Sequence, residues 1–74
     1  MAFDFSKLRG RIIEKYGTCA NFAAAVGIPA SGVSDRLNNK TPWSADDIHR
    51  IIQPDCLDIE LGEIPAYFFT AKVR

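Results

Sequence analysis

Few side chains in this sequence are of a type and spacing that could do covalent chemistry. Cys19 and Cys56 are the two cysteines and His49 the single histidine. Neither cysteine stands in a CxxC or CxxH spacing, and a structural zinc site needs about four such ligands. No metal is expected. Cys19 has no histidine near it in sequence to take its proton, so a thiol nucleophile is not supported. His49 lies between acidic and basic neighbours and reads as an exposed or hydrogen-bonded structural residue. The carboxylate pairs Asp46/Asp47 and Glu60/Glu63 fit helix starts, where negative charge complements the dipole, better than an acid/base pair. There is no glycine-rich phosphate loop. Catalytic residues, cofactors and enzymatic activity are therefore not expected.

The charges are informative in another way. Nine Lys and Arg balance nine Asp and Glu, but unevenly. Residues 1–40 carry six basic side chains against three acidic, whereas residues 41–69 carry Arg50 against six acids. One basic face and one acidic face follow, the basic one suited to an anionic partner. The bland alternative is a solvated surface on which charge happens to segregate. At 74 residues the chain holds one small domain, which buries only about 60% of its unfolded surface. No apolar run approaches the roughly 20 residues of a membrane span. Nothing at the start resembles a signal peptide, so a reducing cytoplasm with free thiols is expected.

Short helices must position these side chains. Leu8, Ile12 and Ile13 recur at helical spacing, which predicts a first helix over about Asp4 to Tyr16. Asp4 would cap it, Phe3 would staple onto Leu8, and Gly17 would end it in a left-handed conformation. Thr18 would cap an Ala-rich second helix stopped by Gly27. A third is expected from Ala30 to Asn38, with Val33 and Leu37 inward. Ser44 with Asp47 three residues on has the capping-box pattern for a fourth, stopped by Pro54. Asp58 is placed as the cap of a last irregular helix. Tyr67, Phe68 and Phe69 would finish that helix or start a strand. The expected fold is all-α: a small bundle of four to five helices, with a domain over residues 1–69 and a loose tail over 70–74.

Residues 18–38 hold the most specific pattern. The small Ala23 lets two helices cross closely, Gly27 supplies the unusual turn angles, and Ile28 plugs the space beneath. These are the requirements of a helix-turn-helix, whose second helix enters the DNA major groove; the bland alternative is an αα-corner inside a helical bundle.

The stretch "TCANFAAAVGIPASGVSDRLNNK" resembles the helix-turn-helix of the phage repressor and Cro-like proteins, the XRE-type group. The frame "FDFSKLRGRIIEKYGT", "NNKTPW" and "YFFTAKV" is similar to small phage and prophage regulators, which include Cro-like and modulator-of-repression proteins. The resemblance implies a lambda-repressor-like fold and a transcriptional regulator that binds double-stranded operator DNA, as a homodimer on paired half-sites. The helix over 18–26 would lie across the backbone, and that over 30–38 would read bases. Two departures stand out. The family's early Gln falls on Cys19, and its base-reading Gln falls on Ala30, which can touch only a thymine methyl.

On that reading Ala30, Ser31, Ser34 and Asp35 would face base edges. Thr18, Arg36, Asn38, Asn39 and Lys40 would face phosphates. Each is also readable as a plain surface side chain. Ile64, Tyr67, Phe68 and Phe69 are expected to contribute to a subunit interface. The alternative function is a protein-binding modulator that complexes the cognate phage repressor. Zero net charge, the acid Asp35 on the reading face and the missing Gln favour it.

Overall fold

The computed structural model describes residues 3–71. Five helices pack round one apolar core, as the sequence predicts, and the described residues contain no strand beyond a single antiparallel bridge between Phe3 and Ala71.

Helix α1, Ser6–Tyr16, buries Leu8 and Ile12 completely and leaves Ile13 half exposed. It begins later than expected: Phe5 is the cap residue, and the Asp4 carboxylate accepts from both the N–H and the hydroxyl of Ser6. Gly17, at φ 80°, ends it and donates to the Ile13 carbonyl. Such a left-handed angle costs glycine nothing because it has no Cβ. Helix α2, Cys19–Val26, is capped by the Thr18 hydroxyl, which accepts from Asn21 N–H at 3.1 Å. Phe22, Ala23 and Val26 face inward. Gly27, in the left-handed region, closes the helix, and the N–H groups of Gly27 and Ile28 share the Ala23 carbonyl. Pro29 then precedes helix α3, Ala30–Leu37, which buries Val33 and Leu37.

Helix α4, Ala45–Ile51, opens with the expected capping box. The Ser44 hydroxyl accepts from Asp47 N–H at 3.0 Å, and the Asp47 carboxylate accepts from Ser44 N–H at 3.3 Å. After Ile52 the chain runs irregularly to Glu60, yet Leu57 and Ile59 are buried. Their N–H groups donate to the Ile51 and Ile52 carbonyls, and Arg11 donates to the Leu57 and Asp58 carbonyls at 2.8 and 3.0 Å. Asp58 caps nothing. It adopts φ 52° at a turn, a conformation Asp tolerates better than most residues. A 3-10 turn, Leu61–Glu63, leads into helix α5, Ile64–Phe68, with Pro65 in its first turn where the missing N–H is harmless.

The ends of the described chain meet. Asp4 N–H donates to the Thr70 carbonyl at 2.8 Å, so Thr70 and Ala71, expected in a loose tail, are tied to the start of the chain. The rest of that expected tail, residues 72–74, lies outside the described residues. Asn39 holds the same segment from the other side: its amide accepts from Phe3 N–H and donates to the Phe3 carbonyl, both at 2.9 Å. Asn39 makes this clamp from a left-handed backbone, φ 64°.

Candidate functional site

The exposed face of α3 is the first surface to consider. Ala30, Ser31, Ser34 and Asn38 are exposed and Asp35 half-buried. The face is therefore available, small-featured and without a cation of its own. The side chains expected to grip phosphate are mostly committed elsewhere. Arg36 donates through Nε to Asp47 Oδ2 at 3.2 Å and through Nη1 to the Gly32 carbonyl at 2.9 Å, and its guanidinium lies 6.0 Å from the Trp43 ring centroid. It is a strut between α3 and α4. Asn39 is the clamp on Phe3. Asn38 caps α3 and donates to Ser34 Oγ at 3.3 Å. Thr18 serves as the α2 cap. Lys40 is exposed.

Asp47 is held from two sides, by Ser44 and by Arg36. Burial by itself pushes its carboxyl up. The Ser44 N–H and hydroxyl, together with the hydrogen bond and charge of Arg36, outweigh that and hold it below the ordinary 3.8. Asp47 is a structural anion.

The C-terminal aromatic group divides in two. Tyr67 and Phe68 are 7% and 1% exposed, so they are core residues of the single chain. Phe68 meets Trp43 edge-on at 5.7 Å, and Lys7 sits 4.8 Å from the Tyr67 ring centroid. Phe69 remains half exposed and Ile64 partly so. A half-open cleft of about 190 Å³ lies between the Phe3–Phe5 segment, Trp43 and Phe69. It is lined mainly by aromatic rings.

A second, more open groove of about 660 Å³ lies where the chain leaves α4, between Ile52, Pro54 and the 3-10 turn. Asp58 and Glu60 line it, and Leu61 at its edge is 75% exposed. The 3-10 geometry turns it outward, because three residues per turn rotate side chains differently from 3.6.

Among the described residues, no group of three or more His, Cys, Asp or Glu side chains is placed to hold a metal. No helix there is long and apolar enough to cross a membrane. His49 is exposed on α4. Tyr16 is pushed up to about 12 by a hydrogen bond with Cys56, by burial and by the negative charges of Cys56 and Asp55. That makes its phenol a poorer acid.

A family profile described as "Protein of unknown function (DUF739)" matches residues 1–71. Among solved structures, the chain is similar to the modulator of repression (MOR) of the temperate bacteriophage TP901-1 from Lactococcus lactis, a solution structure. The two share 43% identity with a TM-score of 0.80, over 100% of this chain and 97% of that one. No curated protein matches. These findings overturn the expected operator-binding regulator of the XRE and Cro-like group. The family is a different one, and the similar structure is a modulator of repression. The physical reason lies in the α2–α3 corner. Ala23, Gly27 and Ile28 serve close helix packing, and that requirement is the same whether or not the second helix reads DNA.

Proposed function

The chain belongs to the DUF739 family, and from that premise we propose that it is a phage modulator that acts by binding a repressor protein, without catalysis, in the host cytoplasm. The observation that carries this reading is the likeness to the TP901-1 modulator of repression: 43% identity across the full length with a TM-score of 0.80. Such identity extends to surface positions, not to the core alone.

The residues support it. With Arg36 and Asn39 bound within the fold, the α3 face keeps Ser31, Ser34, Asp35 and Asn38, a set that lacks the cations a polyanion would call for. The test is a sedimentation experiment on the purified chain mixed with the repressor encoded in the same genomic region. A faster-sedimenting complex is expected. Two species migrating independently at micromolar concentration would refute the reading.

A further inference from the structure

We propose that the acidic groove between the end of α4 and the 3-10 turn, edged by Leu61, is where this chain seats its partner, and that the partner brings a lysine- or arginine-rimmed apolar site. This rests on the repressor-binding reading above.

Three observations converge there. Leu61 is the most exposed large apolar side chain among the described residues, at 75%, and it stands beside a groove floored by the buried Ile52 and Ile59. A leucine so exposed, next to apolar surface already formed, is an anchor without a socket. Charge is the second observation. Residues 51–71 contain Asp55, Asp58, Glu60 and Glu63 and no Lys or Arg, and all four acids are exposed. The third concerns the cations on neighbouring elements. Arg11 pairs with Glu14 at 2.7 Å while its other nitrogens serve the Leu57 and Asp58 carbonyls. Arg50 reaches away to the Val26 carbonyl at 2.8 Å. His49 is the remaining basic side chain lining the groove. The rim is therefore left net negative.

That charge pattern selects the occupant. Nucleic acid and an anionic membrane are repelled. A second copy using the same face would set Asp58 and Glu60 against the same two acids. A protein with basic side chains round an apolar slot is attracted and oriented, and pairs at the rim speed its arrival.

Two variants test this: Leu61→Asp, and the double variant Glu60→Lys/Glu63→Lys. Both change exposed side chains, and far-UV circular dichroism with thermal melting verifies that each folds. Binding to the repressor encoded in the same genomic region is read by sedimentation and by titration at several salt concentrations. Leu61→Asp is expected to weaken the complex by roughly thirtyfold, the usual effect of losing an interface anchor. The double variant is expected to weaken it and to flatten its salt dependence. Asp35→Ala, on the α3 face, is expected to leave affinity within about threefold. A folded Leu61→Asp or Glu60→Lys/Glu63→Lys protein that binds like wild type overturns the proposal while leaving repressor binding intact. A wild-type chain that forms no complex removes both. Leu61-dependent self-association in place of a repressor complex would assign the groove to a second copy and also overturn the proposal.

Discussion

Replacing Arg36 by methionine should destabilise the chain by about 2 kcal/mol. Methionine keeps an apolar stem near Trp43 but removes both hydrogen bonds and the charge. The Arg36 and Asp47 side chains are 21% and 15% exposed, between a surface pair and a buried one. Surface pairs contribute about 0.2–1 kcal/mol, and hydrogen bonds to charged groups about 1.5–3 kcal/mol. The contact is 3.2 Å long and partly wet, which places it toward the middle of that span. For a domain of this size 1 kcal/mol moves the melting temperature by about 4–8 °C, so a drop of roughly 8–16 °C in circular dichroism is expected. The effect must also depend on pH with a definite sign. Asp47 is held below 3.8 in the fold, so the folded chain binds that proton less readily than the unfolded one. The stability contributed by the junction is complete above the ordinary aspartate range and is lost as pH falls through it. The gap between wild type and Arg36→Met should therefore narrow below about pH 4. Gly32 provides an internal check. A Cβ there would lie 3.0 Å from Arg36 Nη1 and 3.1 Å from Ile28 Cγ2. Gly32→Ala should therefore fail to deliver the usual helix gain of about 1 kcal/mol in wild type, and should recover part of it beside Arg36→Met. A melting shift under about 4 °C for Arg36→Met at neutral pH would refute the strut.

Other consequences are equally direct. Asn39→Ala removes both bonds to Phe3 and forces alanine into a left-handed backbone, costing about 2 kcal/mol. Asn39→Gly should cost about 1 kcal/mol less, and both should speed amide exchange at Phe3. Phe68→Ala should cost about 3–5 kcal/mol, enough to unfold much of a chain this small, whereas Phe69→Ala should stay under about 1 kcal/mol in the isolated protein; equal effects on melting would contradict the assignment of Phe68 to the core. Cys56→Ala should lower the ionisation of Tyr16 from about 12 toward the ordinary tyrosine range, read by ultraviolet absorbance titration.

What the sequence made legible was local. Thr18, the Ser44–Asp47 box, Gly17 and Gly27 act within four residues along the chain, so their spacing suffices to place helix ends. The contacts it hid join distant segments: Asn39 to Phe3, Arg36 to Asp47, Arg11 to the Leu57 and Asp58 carbonyls. Arg36 and Asn39 looked like phosphate ligands because exposure is the default for polar residues, and only the tertiary fold shows them engaged. Helix α5 spans Ile64–Phe68, too short for a helical period to fix its phase. Its buried pair and exposed Phe69 therefore could not be separated by pattern. The acidic rim was present in the charge count, but its gathering round Leu61 depends on the 3-10 turn. At the functional level, the close-packing residues of the α2–α3 corner pointed to DNA. The neutral net charge and Asp35 favoured a protein partner instead, the alternative that agrees better with the likeness to a modulator of repression.

Isothermal titration of the purified chain into its repressor, with a parallel titration into duplex operator DNA, tests the central claim most directly. A saturable heat with the repressor at a fixed stoichiometry, and none with DNA under the same buffer, is the predicted result. Saturable binding to the operator with no heat from the repressor would contradict it.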